Sequence, residues 1–416
     1  MNLIESQASP EPAQPGARRT KKFHARRQAI LASATEAMNR KGVRGMTLAE
    51  VAGKLGLVPT GVIYYFPNKE ALAAACFMKA IEVYDALIAE AAEERTPQAR
   101  LGRLLRGHFR FRREVALGLA EPVAAFNDVR ALDDPTVNAA FIDMFRRARG
   151  LLTPDDGAER TTLNAETHLV LSLLFWAGVW LHHYDPEDFE RAAERSLDIL
   201  LHGLGAPGAV WSPPTLPPAP RDTGAAGEMS RETFLRAATE LINAQGYMGA
   251  SVEKISARLK VTKGSFYHHN DAKDDLVVAC FERTLDIMRH AQRAACEQFD
   301  DGWTRLSAAT TVLVEHQVSG NAPLLRISAL SATPEAMQTQ LIRRFDHVSV
   351  YFAGMISDGI ADGSLRPVDA TIAAHMIHGA VNAAAELSRW APGVTAETAA
   401  DLYVRPLLTG MLSGMD

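Results

Sequence analysis

The chain has 416 residues, 47% hydrophobic and 22% charged, with a formal net charge of −5. That composition is ordinary for a soluble globular protein of about two to four domains, and its mildly acidic balance does not announce a nucleic-acid binder. Three scattered cysteines (Cys76, Cys280, Cys296) exclude a disulfide framework or zinc module and point to a reducing compartment, and no apolar run reaches the roughly 18–20 residues of a membrane helix.

In chain order, residues 1–20 are Pro, Ala and polar, lack a secretory h-region, and read as a disordered arm. Helical periodicity follows: Ile30, Ala34 and Met38 recur every four residues on one face, and Gly42 ends the helix. Thr47-Leu-Ala-Glu50 predicts a capping box at the start of a second helix. Pro59 then falls at the first position of a third, short helix, where its missing N–H costs nothing. Only helix patterns follow. The most apolar stretch, residues 169–181, is too short to span a bilayer and runs into His182, His183 and Asp185.

Residues 204–228 are too rich in Pro and Gly to continue a helix. Beyond them the chain repeats itself at an offset of 204 positions. Arg27 pairs with Arg231, Asn39 with Asn243, Gly42 with Gly246, Thr47 with Ser251, Lys69 with Lys273, and "ACF" at 75–77 with "ACF" at 279–281. Phe234, Ala238 and Ile242 rebuild the first apolar face. Ser251 keeps the cap, with Lys254 in place of Glu50, and Thr262 is a natural N-cap for the third helix. The expected fold class is all-α, as two tandem units. The expected division is an arm (1–20), helix-turn-helix domain (21–72), helical regulatory domain (73–206), linker (207–228), second helix-turn-helix domain (229–276) and second regulatory domain (277–416).

Helix, tight turn and short helix is the arrangement that places a recognition helix in the DNA major groove. Thr60 and Gly61, like Gly264 and Ser265, are small enough for close approach to base edges. The aromatic residues after them, Tyr64 and Tyr65 or Tyr267, His268 and His269, pack inward or reach phosphates. Lys69 and Lys273 sit in the first turn of a fourth helix, where a cation opposes the helix dipole and a phosphate partner would accommodate it.

These residues resemble the TetR family of bacterial regulators. Its hallmark, Val-Ser-Lys-Gly-small-apolar-Tyr-His-His-Phe with a following Lys and Leu, is met at Val261, Thr262, Lys263, Gly264, Tyr267, His268, His269, Lys273 and Leu276, with Asn270 where Phe is expected. The first copy has Phe66, Pro67, Lys69 and Leu72, with Ile63 at the usual Tyr position and Tyr64 after it; "DGSLRPVDA" (362–370) also looks like the family's entry into its penultimate helix. The resemblance implies that the last two helices of each unit, about 160–184 and 186–204, and about 367–390 and 395–414, form a four-helix bundle. The linker of about 25 residues spans up to ~80 Å, so the two halves can pair within one chain.

DNA contacts are expected at Lys21, Lys22, Arg26 and Arg27, crowded before the first helix, at the caps Thr47 and Ser251, and at Pro59, Thr262 and Lys263. Residues 17–72 hold eleven Lys/Arg against three acids, whereas 221–276 hold eight of each, so the first copy is expected to contribute more of the DNA affinity. The middle helices would enclose an effector pocket. Phe109, Phe126, Phe141, Phe145, Phe175, Trp176 and Trp180 either line it or fill the core, and an effector there would be apolar or aromatic.

His375 with His378, and His182 and His183 with Asp185, lack a third ligand at defined spacing, so surface or core roles are expected rather than a metal. Cys76 and Cys280 lie at equivalent places between apolar residues and are expected to be buried. No phosphate loop, Gly-x-Ser-x-Gly elbow or His-Glu-x-x-His motif is present, and no cofactor is expected. The sequence thus reads as a cytoplasmic, ligand-responsive DNA-binding repressor, not an enzyme, folded as an intramolecular pseudo-dimer that reads two unlike half-sites. Two alternatives remain: only the first copy binds DNA, with the second a dimerisation or sensing scaffold, or DNA binding has been lost and a ligand-binding adaptor is left.

Overall fold

The computed structural model describes residues 15–126, 129, 132–153, 159–217, 231–260, 273–320, 323–326 and 335–412. Among these residues the regular structure is helical, with one isolated antiparallel bridge between Gly205 and Leu365. The first copy comprises α1 (Pro15–Gly45), α2 (Leu48–Lys54), α3 (Pro59–Ile63), α4 (Lys69–Ala92), α5 (Pro97–Ala116), α6 (Pro135–Leu152), α7 (Arg160–Trp180) and α8 (Phe189–His202). The second comprises α9 (Arg231–Gly249), α10 (Val252–Leu259), α11 (Lys273–Gln298), α12 (Gly302–Val318), α13 (Glu335–Asp362), α14 (Ala370–Ala383), α15 (Leu387–Trp390), α16 (Ala396–Ala399) and α17 (Arg405–Thr409). No helix among the described residues is long and apolar enough to cross a membrane.

Helices begin where the sequence supplies acceptors for unpaired N–H groups. The side chains of Thr47, Asn68, Thr96 and Asp134 accept from backbone N–H groups in the first turns of α2, α4, α5 and α6, and Pro59, Pro97 and Pro135 open α3, α5 and α6. Gly42 and Gly246 break α1 and α9 at φ 69° and 70°, the left-handed conformation that glycine adopts without a Cβ clash. Each copy is then built round its long fourth helix. Leu72, Phe77 and Ile81 of α4 are buried against α1, α5 and α6, and Leu276, Phe281 and Leu285 of α11 against α9, α12 and α13.

The copies pack on each other through α7 and α8 of the first and α14, α15, α17 and the π-turn Ala400–Val404 of the second. Trp176 lies on Gly379, where any Cβ would collide with the indole. Trp180 stacks on His375 with ring centroids 5.6 Å apart. The Leu204 N–H donates to the Leu408 carbonyl at 2.7 Å and the Met411 N–H to the Leu200 carbonyl at 2.6 Å, an almost reciprocal exchange. It requires Gly203 against the Leu408 carbonyl and Gly410 against the Leu201 carbonyl, with no room for a side chain at either. Arg195 pairs with Asp369, and Arg366 with Asp198 at 2.8 Å.

Two expectations are corrected, the start of α1 and the continuity of the paired segments in the second copy. α1 starts at Pro15, inside the stretch read as a disordered arm, because proline suits a first helical turn. The first part of the Pro/Gly-rich linker, as far as residue 217, is docked on the second copy. Trp211 Nε1 donates to Asp401 at 2.7 Å, Trp303 Nε1 donates to the Val210 carbonyl at 3.0 Å, and Leu216 is buried. The paired segments of the second copy are also broken, by a 3-10 turn at Ala384–Glu386 and by the π-turn, which seats a fully buried Tyr403 beside His168.

Candidate nucleic-acid interface and effector cavity

In the first copy α1, α2 and α3 form the small N-terminal domain. Thr47 caps α2, its hydroxyl accepting from the Glu50 N–H at 3.2 Å. The reciprocal half of the capping box is absent: the Glu50 carboxylate instead pairs with Arg40 and, at 2.9 Å, with Lys41, which hold its pKa below the usual range. Val62 and Phe66 face inward, while Val58, Pro59, Thr60, Ile63 and Tyr64 are exposed and Gly61 is half-buried. Tyr64, 75% exposed, and the half-buried Tyr65 gather with Phe23 of α1, the Phe23 and Tyr65 rings 4.8 Å apart. The short helix thus presents an apolar and hydroxyl-bearing face next to the exposed side chains of Lys21, Lys22 and Arg26.

Two of the expected phosphate-binding cations have intramolecular partners. The Arg27 guanidinium lies 4.9 Å from the Phe66 ring centroid and seals the domain from the α1 side. Lys69 Nζ donates to the Arg44 carbonyl at 2.8 Å, and burial lowers its pKa. That bond supplies a local reason for a lysine at the start of α4, the capping of which falls to Asn68.

The second copy repeats the frame. Ser251 caps α10, accepting from the Lys254 N–H at 3.3 Å, while Lys254 Nζ donates to Gln245 at 2.7 Å and to the Gly249 carbonyl at 2.9 Å. Glu36–Lys54 recurs as Glu240–Arg258. The expected contacts Thr262, Lys263, Gly264, Ser265, Tyr267, His268 and His269 lie outside the described residues, and of Lys273 only its place as the first residue of α11 is described. The two small domains touch: α1 packs on α9, with Arg44 against Gly249.

Each small domain is tied to its larger one by an asparagine that the repeat aligns. Asn39 Nδ2 donates to the Val123 carbonyl at 2.9 Å, and its Oδ1 accepts from the Ala125 N–H at 2.9 Å. Asn243 makes the same two bonds, to the Leu324 carbonyl at 2.9 Å and from the Arg326 N–H at 3.0 Å. Sequence comparison of the copies pairs the asparagines, but their partners lie more than 80 residues away.

Of the aromatic residues expected at an effector pocket, Phe126, Phe141, Phe145, Phe175 and Trp176 border one cavity of about 590 Å³. Phe109 and Trp180 do not; both are buried, their rings 6.1 Å apart. Sequence reasoning did not foresee the remaining wall, which comes from the other copy: Glu240, Asn243 and Arg258 of its small domain, then Arg326, Glu386, Arg389 and Trp390. Phe145 stacks on Trp390 at 4.1 Å across the junction.

The histidines weighed as metal ligands are placed otherwise. His378 stacks on Phe345 at 4.9 Å with Nδ1 2.9 Å from Ser349 Oγ, and His183 faces Asp346 at 3.6 Å. Among the described residues no His, Cys, Asp or Glu group is arranged to hold a metal ion. Burial lifts the thiols of Cys76 and Cys280 to about 11; their Sγ atoms face the carbonyls of Leu31 and Leu235, again 204 residues apart.

The model of the bacterial regulatory proteins, tetR family, matches twice, at residues 30–76 and 234–280. The Transposon Tn10 TetC protein of Escherichia coli is 24% identical over 148 residues, 36% of this chain and 74% of that protein. The HTH-type transcriptional repressor KstR2 of Rhodococcus jostii (strain RHA1) is 25% identical over 208 residues, 48% of this chain and 98% of the repressor. Among solved structures, AibR in complex with isovaleryl coenzyme A and operator DNA aligns at 24% identity and a TM-score of 0.37, over 44% of this chain and all of AibR. With the family model matched once in each repeat, this protein belongs to the TetR family and carries two of its units in tandem.

Proposed function

We propose that this regulator acts in the cytoplasm as a ligand-responsive repressor in which one chain does the work of a homodimer. The second unit is the covalent partner of the first, and two non-identical helix-turn-helix domains read an operator with unlike halves. The reciprocal seat of Gly203 and Gly410 carries this reading, because it joins the units through the equivalent ends of their last helices. Unlike halves follow from the reading surfaces: "VPTGVIYY" (58–65) and "TKGSFYHH" (262–269) offer different side chains to base edges. The proposed contacts are Lys21, Lys22, Arg26, Thr60, Gly61 and Tyr64 in the first unit and Thr262, Lys263, Gly264, Tyr267 and Lys273 in the second. In the arrangement that binds DNA, the recognition helices stand about one turn apart, ~34–36 Å. An apolar or aromatic effector that prefers another arrangement draws the protein off, and its role is binding rather than turnover.

A second reading has one specific observation in its favour. The span 17–72 carries eleven basic residues against three acids, while 221–276 is balanced at eight and eight. The second unit would then be a sensing scaffold, with two chains needed for a palindrome. Salt-dependent DNA titration of the Lys263→Gln/Lys273→Gln double variant separates the readings. If both units bind, the slope of log affinity against log salt falls by about 2, each lysine accounting for about 0.9. An unchanged slope and affinity would sink the two-reader model.

A further inference from the structure

The cavity of about 590 Å³ lies between the two units rather than inside either, and its walls differ in chemistry. One wall is aromatic: the Phe126 ring lies 4.9 Å from Phe141 and 5.0 Å from Phe175, and Phe145 rests on Trp390. The opposite wall is charged. Arg326 and Arg389 both pair with Glu386, and Arg258 with Glu240, so three guanidinium groups face two carboxylates. A carboxylate shared by two arginines leaves guanidinium N–H donors over. An apolar ring system fits the first wall, and an anionic end fits the second.

The cavity also borders both asparagine clamps. Phe126 follows Ala125, the anchor of Asn39, and Asn243 and Arg326 are themselves part of the wall. An occupant therefore presses on the segments that hold both DNA-binding domains to the rest of the molecule.

We propose that the junction cavity binds one aromatic acid per chain, its rings on Phe126, Phe141, Phe145 and Phe175 and its anion on Arg326 and Arg389, and that Asn39 and Asn243 carry its presence to both DNA-binding domains. This deepens the ligand-responsive reading and rests on it.

Two fluorescent probes of similar size and opposite character test the site on the full chain: 1-anilinonaphthalene-8-sulfonate, an aromatic anion, and neutral N-phenyl-1-naphthylamine. The expected result is a stoichiometry of one anionic probe per chain, bound about tenfold more tightly than the neutral one, as a charge-assisted contact to an arginine allows. Arg389→Gln and Arg326→Gln should each weaken the anion by roughly three- to tenfold and leave the neutral probe within about twofold. Ala244→Trp, at an exposed position on the small-domain wall, should weaken both probes by filling the mouth. Asn39→Ala, outside the cavity wall, should keep probe binding and lose its effect on DNA affinity. Equal affinity for the two probes, indifference to both arginine variants, indifference to Ala244→Trp, or no binding at all would overturn the site. DNA titration of the same samples keeps the two ideas apart. Sequence-specific DNA binding with a failed probe leaves the two-reader model standing, whereas probe binding without DNA specificity removes that model and not the site.

Discussion

At the scale of single residues, the asparagine clamps link the DNA-binding domains to everything else. Asn39 satisfies one carbonyl and one N–H of the segment after α5, and alanine there leaves both without their partner. Both bonds are exposed, so Asn39→Ala is expected to lower unfolding stability by about 0.5–1.5 kcal/mol, read as a shift of the urea midpoint at constant m-value. No change would mean that water replaces both bonds without cost. The repeat exposed this residue but not its role, because its partners are distant and the second pair sits at an offset of 201 rather than 204. Glu50 shows the opposite failure. Its spacing from Thr47 wrote a capping box, yet two basic residues at the end of α1 take the carboxylate, since a charge-assisted pair outcompetes a neutral N–H. Spacing along one helix is visible in a sequence; competition from a neighbouring helix is not.

At the scale of elements, the caps Thr47 and Ser251 and the N-terminal Pro59 mark the starts of α2, α10 and α3, and Gly42 and Gly246 the breaks that end α1 and α9, because those signals are local. What stayed hidden depends on tertiary contact: the π-turn before α17, the docking of residues 205–217, and the partner of each aromatic face. The α14 helix is the clearest instance. His375 and His378 share a helical spacing of three, for which a surface or core role was expected, and burial against the other copy and against α13 makes it a core role. Burial pushes His378 down to about 3. His375 falls to about 4, burial leading, with His183 and His182 lowering it further and Asp369 opposing. Both are neutral in the folded chain and ordinary in the unfolded one, so unfolding takes up protons below pH 6.5. Their stabilising contribution is complete above that value and is lost as pH falls towards 4, by at most about 1.4 kcal/mol per pH unit for each histidine. Denaturant midpoints between pH 7.5 and 5 should fall on acidification, and less steeply in a His375→Gln variant. A flat profile would contradict the buried, neutral assignment.

At the scale of the whole molecule, the 204-residue echo explains why a mildly acidic chain belongs to a DNA-binding family: its basic charge is concentrated in one small domain, and the average conceals it. The duplication and helix-turn-helix units were legible because the same chemistry is written twice in register. The mixed wall of the junction cavity was not, since its aromatic half and its charged half belong to different units and meet only when the chain folds on itself. A homodimer would place equivalent residues around a two-fold axis. This chain lines one cavity with Phe126 from one unit and Arg326 from the other, and joins a basic small domain to a balanced one, so both the cavity and the pair of helix-turn-helix faces are asymmetric. That asymmetry is the central claim, and selecting binding sites from randomised duplex DNA with the purified full chain, at one fixed salt concentration, tests it most directly. The expected result is an enriched site of two different halves with centres about one helical turn apart; a palindrome read by two chains would contradict the asymmetry.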